Sequence, residues 1–159
     1  LDWLNKEHIK LLPKEEIEKN ILEWLPENMK EKKLVPIIFE RINKWGDIID
    51  MVTEGELDFF FKQPEYEKEK IIYKNTSPEK IKNNLELAVK ALTDLDENNF
   101  TQENIKNILM TIANKLDSRG ELLHPVRFAL SGLDKSPDPF TIAEILGKNE
   151  TLSRLQKAI

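Results

Sequence analysis

The chain has 159 residues, of which 40% are hydrophobic and 33% charged, with a net charge of −5. That balance fits one ordinary domain or two small ones and excludes a disordered tail or a collagen-like repeat. With no cysteine present, a disulfide scaffold, a thiolate zinc site and a cysteine nucleophile are excluded as well. No apolar run approaches the roughly 18 residues that a membrane span needs, so no membrane partner is expected. The stretch Leu1 to Lys10 is mixed and charged, unlike a signal peptide. It opens on leucine rather than methionine, so a cytoplasmic piece of a longer protein is expected.

Helical punctuation recurs along the chain. Pro13 can open a helix carrying Ile17, Ile21, Leu22 and Leu25, which Pro26 ends. A second helix is predicted over Met29 to Asn43, burying Leu34, Val35, Ile38 and Ile42, with Pro36 kinking it or marking its true start. A third is predicted over Asp47 to Thr53, with Ile48, Ile49 and Val52 inward and Gly46 and Gly55 as breaks. Phe59, Phe60 and Phe61 are consecutive and cannot share one helix face. Residues 62–76 read as a polar surface excursion.

Ser77 can cap a helix that starts at Pro78, with Ile81, Leu85, Ala88, Leu92 and Leu95 spaced by three and four residues. The composition changes at Asp94 to Asn99, the best boundary between lobes. Thr101 then caps a helix burying Ile105, Ile108, Leu109, Ile112 and Leu116. Beyond Arg119 the segments shorten. Pro125 can open a helix that Gly132 ends, Asp138-Pro139 one that Gly147 ends, and Asn149 can cap a last helix with Leu152, Leu155 and Ile159. No stretch alternates like a strand. The fold class expected is all-α, with residues 1–12 as the tail of a preceding region and two small helical lobes at 13–95 and 96–159.

Catalytic constellations are missing. His8 and His124 are the only histidines and neither lies in a metal-binding arrangement; no Gly-rich phosphate cradle is present. Residues 96–159 hold 8 basic and 9 acidic side chains against 16 and 20 in the first 95. This balance argues against gripping a long phosphate backbone, yet leaves room to recognise a few splayed bases.

The informative stretch is Arg119 to Ile159. Pro125, Arg127, Ala129, Ser131, Gly132, Ser136, Pro137, Ile145, Gly147 and Lys148 follow, in order and spacing, a pattern that resembles the C-terminal end of bacterial-type glutamyl-tRNA synthetases. Upstream, Leu1-Asp2-Trp3-Leu4-Asn5 with Ile9, and Glu40-Arg41-Ile42 ahead of Phe59 to Phe61, are similar to further segments of that family. The resemblance implies an all-helical anticodon-binding region, monomeric, whose partner is the anticodon loop of glutamate tRNA rather than DNA. It implies a parent enzyme, a glutamate–tRNA ligase that uses ATP and Mg2+. The His-Ile-Gly-His and Lys-Met-Ser-Lys-Ser motifs of the catalytic part are absent here, so this chain should hold no cofactor and catalyse nothing alone.

By the same resemblance Arg41 reads the third anticodon base, a cytosine, while Arg127, Ser136 and Pro139 lie against the first two. A guanidinium only donates, and unpaired cytosine presents O2 and N3 as acceptors where guanine presents N1–H and N2–H donors. Each residue also has a plainer reading. Arg41 can pair with Glu40 or Asp47, and Ser136 can be a turn residue before Pro137. Pro139 stands where the family has a hydrophobic residue. Trp3, Trp24 and Trp45 can be core residues rather than stacking platforms. The competing function is a helical protein-interaction module that binds no RNA.

Overall fold

Residues 2–159 are described by a computed structural model, with the side chains of Asp2 and Trp3 left aside. Nine α-helices and no strand occur among the described residues. They fall into two units, Leu1–Phe61 and Lys62–Ile159.

In the first unit α1 (Asp2–Lys10) and α2 (Lys14–Trp24) precede two short 3-10 turns, α3 (Val35–Arg41) and α4 (Asp47–Thr53). Pro36 stands in the first turn of α3, where its missing N–H leaves no bond unmade. The helix predicted from Met29 therefore starts only at Val35, and 3-10 turns cover the approach. Ile21, Leu25, Leu34, Ile38, Ile42 and Ile48 form its core, each at most 3% exposed. In α4 the inward face is Ile48 and Met51, three apart, whereas Ile49, expected inside, is 51% exposed. The three phenylalanines divide as their adjacency requires: Phe59 is buried and Phe61 is 44% exposed. Lys6 of α1 donates to the Phe39 carbonyl and lies over the Phe39 ring.

The second unit packs α5 (Pro78–Thr93), α6 (Gln102–Ala113), α7 (Gly120–Ser131), α8 (Pro139–Leu146) and α9 (Lys148–Ala158). Ser77 caps α5 by accepting from the Lys80 amide at 3.2 Å, and Thr101 does the same for α6 from Asn104 at 3.3 Å. The stripe Ile81, Leu85, Ala88 and Leu92 of α5 is buried, and α5 packs on α6, α7 and α9. The division between units thus falls at Phe61/Lys62, whereas composition placed a boundary at residue 95. Helix α5 buries its apolar stripe against helices that follow it in the chain, and a composition change cannot register that.

Two helix starts also differ from expectation. Helix α7 begins at Gly120, five residues before Pro125, which lies inside it. A proline there cannot donate to the carbonyl four residues back. That carbonyl, on Glu121, instead accepts from the buried Asn84 side chain of α5 at 3.0 Å. An interior proline is tolerated because a neighbouring helix supplies the missing donor. In α9 the residue before the first turn is Gly147, and Asn149 lies within the helix.

Residues 62–76 run along α7. Tyr66 meets the Phe128 ring edge-on at 5.3 Å, and His124 stacks on Phe128 at 5.8 Å. His124 Nε2 lies 3.0 Å from the Lys70 carbonyl. This histidine fastens the excursion to the bundle.

Candidate nucleic-acid interface

The loop between α7 and α8 is organised by one arginine. Gly132 ends α7 with φ +67°, and its N–H donates to the Phe128 carbonyl at 2.7 Å. The Ser131 hydroxyl donates back to the Arg127 carbonyl at 2.9 Å and accepts from the Leu133 amide at 3.2 Å. The chain is thereby turned so that its next carbonyls face Arg127. Nη1 of Arg127 donates to the Leu133 carbonyl at 3.1 Å and to the Ser136 hydroxyl at 3.0 Å, and Nη2 donates to the Asp134 carbonyl at 3.1 Å. The Ser136 hydroxyl in turn donates a hydrogen bond to the Pro137 carbonyl at 2.9 Å.

These bonds use three of the five guanidinium donors, and all three acceptors are uncharged. Arg127 is half-buried, with Asp134 and Lys135 exposed on the loop it holds. Arg127 and Ser136 therefore come together. Pro139 does not join them. It opens α8 and is buried, while Asp138 caps the helix by accepting from the Thr141 amide at 2.8 Å. A buried ring offers no face for a base to stack on.

Arg41, at the end of α3, is paired with neither Glu40 nor Asp47. Its Nη2 donates to Glu56 at 3.0 Å, with the two side chains 46% and 31% exposed. Asp47 is occupied in receiving the backbone N–H groups of Asn43 and Lys44 at 2.8 and 3.2 Å. The Glu56 partner lies 15 residues along the chain, beyond the reach of helix spacing. No local sequence signal could have singled it out.

A second arginine of the second unit plays a different part. Arg154 of α9 is only 3% exposed; its Nη1 donates to the Leu130 carbonyl at 2.7 Å and its Nε to Glu150 at 2.9 Å. Glu150 also accepts from Gln63 at 3.1 Å. The Arg154 hydrogen bond, more than the opposing burial, holds the Glu150 carboxyl below its usual range. Arg154 ties the end of α7 to α9 and so supports the turn that carries the Arg127 loop. Of the tryptophans, Trp24 is 40% exposed and Trp45 half-buried, while the Trp3 side chain lies outside the described residues. Among the described residues no three potential metal ligands gather, and no helix is long and apolar enough to cross a membrane.

The second unit thus presents a loop held by Arg127, and in the first unit Arg41 is partly exposed beside Glu56. The chain belongs to the anticodon binding domain family, whose model matches residues 9–159. It is similar to a glutamate–tRNA ligase of Clostridium kluyveri, 35% identical over 100% of this chain and 33% of that protein. A glutamate–tRNA ligase of Solibacter usitatus is 31% identical over 99% of this chain and 32% of its own length. Among solved structures, a glutamate tRNA ligase from Elizabethkingia meningosepticum, crystallised in complex with its amino acid, superimposes with a TM-score of 0.74. It is 34% identical and matches 99% of this chain and 31% of that one. The chain spans about a third of the length of the relatives it matches.

Proposed function

We propose that the chain is the anticodon-binding part of a glutamate–tRNA ligase, the enzyme that joins glutamate to its tRNA in an ATP-dependent reaction. The observation that carries this reading is the family match over residues 9–159 together with the Arg127–Ser136 loop inside it. ATP and Mg2+ belong to the parent's catalytic part. Neither catalytic motif occurs in this sequence, and no three potential metal ligands gather among the described residues.

In this reading Arg127 does two things. Its three hydrogen bonds set the shape of residues 133–136, and its remaining N–H groups meet acceptors on the first two anticodon bases. Ser136, which already donates to Pro137, keeps acceptor capacity for a base N–H. Pro139 contributes by starting α8 and fixing the far end of the loop.

Arg41 reads the third base. It is free to do so because an exposed ion pair is worth about 0–1 kcal/mol, so exchanging Glu56 for a base costs little. Donor-only chemistry then favours cytosine over guanine by about 1–3 kcal/mol, on the scale of direct base readout.

Chemical footprinting of glutamate tRNA tests the proposal. Addition of the chain is expected to shield the base edges of all three anticodon nucleotides, and Arg127→Ala to restore reactivity at the first two. Protection confined to the stem, with the anticodon as reactive as in free tRNA, would refute it.

A further inference from the structure

The backbone of Glu56 is fixed by the turn that ends α4. Helix α4 ends at Thr53, and Gly55 follows with φ +76°. The Gly55 amide donates to the Val52 carbonyl at 3.2 Å and the Glu56 amide to the Met51 carbonyl at 3.0 Å. This pair of bonds is the left-handed glycine stop of a helix. On the other side Leu57 is 1% exposed, so the backbone of Glu56 is pinned before and after. Its carboxylate lies 3.0 Å from Arg41 Nη2, on a surface where both side chains remain partly open.

The two groups have opposite hydrogen-bonding characters. A guanidinium can only donate and an ionised carboxylate can only accept. Cytosine shows two adjacent acceptors, O2 and N3, to a donor such as Arg41. Guanine shows two adjacent donors, N1–H and N2–H, whose spacing suits the two oxygens of one carboxylate. Arg41 alone would favour cytosine, and Glu56 alone would favour guanine.

We infer that Glu56 is a specificity-determining residue that lowers the preference for cytosine over guanine at the base Arg41 reads, by supplying the acceptors guanine needs. This rests on Arg41 reading the third base, as proposed above. With both partners in place the preference for cytosine remains but is smaller than Arg41 alone would give, because the carboxylate offers guanine's donors the acceptors that Arg41 lacks.

The test is a binding titration of the chain, Glu56→Gln, Glu56→Ala and Arg41→Gln against two tRNAs differing only in cytosine or guanine at the third anticodon position. Both Glu56 variants are expected to raise the cytosine-to-guanine affinity ratio about tenfold, within the range of a bidentate base contact. Arg41→Gln is expected to weaken the cytosine-bearing tRNA selectively. A ratio unmoved in either Glu56 variant, while Arg41→Gln acts as stated, overturns the role of Glu56 and leaves that of Arg41 standing. An equal gain on both tRNAs, the mark of merely removing a negative charge, also overturns it. If Arg41→Gln changes neither affinity, the reading of Arg41 fails and this inference with it.

Discussion

Arg127 and Arg154 carry the same charge and do different work because their surroundings differ. Arg127 is half-buried and bonded to two carbonyls and a hydroxyl on one short loop. Arg127→Ala is expected to cost about 1–2 kcal/mol, since those acceptors can turn to water, and to reduce anticodon protection far more than it lowers the melting temperature. Arg154 is 3% exposed and spans Leu130 and Glu150. Truncating it leaves a buried carbonyl without its donor, so Arg154→Ala is expected to cost about 2–4 kcal/mol. Urea unfolding of both variants checks the order; a larger loss for Arg127 would make that residue a core support and not a base reader. The sequence shows both arginines equally well. Which one is buried depends on how α9 lies against α7, and that is set by packing across 24 residues of chain.

At the scale of elements, helix ends marked by local chemistry were legible and those set by neighbours were not. Ser77, Thr101 and Asp138 are caps, as their types and spacing suggested. Pro125 reads locally as a helix start, yet Asn84 on another helix relieves the carbonyl it leaves unbonded. Asn84→Leu is therefore expected to destabilise the second unit by about 1–3 kcal/mol, the cost of an unsatisfied buried acceptor, measured by urea unfolding. No loss would mean the Glu121 carbonyl finds another donor. Acid should act on the same unit through Glu150. Its pKa is lowered from 4.5 on folding, so its contribution is present above that value and is lost as pH falls through the lower folded value. Stability of Glu150→Gln is expected to vary less with pH below 4.5 than that of the parent chain; identical acid profiles would contradict the assignment.

For the whole molecule the charge is unevenly placed. Residues 1–61 hold 9 basic and 14 acidic side chains, while residues 62–159 hold 15 of each. The entire deficit lies in the first unit, and the second, with its arginine-bound loop, is neutral. The all-helical class and the anticodon binding domain family were legible because caps, periodic stripes and the Pro125-to-Lys148 spacing are local patterns. The unit boundary and the Glu56 partner were not, since both arise from contacts between segments distant in sequence. A chain this acidic cannot rely on phosphate attraction. With about two or three phosphates engaged, log affinity should fall with log salt at a slope near −2 or shallower, and a much steeper slope would mean that the backbone, not the bases, is being held.

The most direct measurement compares two tRNAs with the same body, one bearing the glutamate anticodon loop and the other an unrelated loop of equal length, titrated with the chain at fixed salt. Binding is expected to the first and to be at least about tenfold weaker for the second, since each lost base contact is worth about 1–3 kcal/mol. Equal affinity for the two would show that the chain does not read the anticodon.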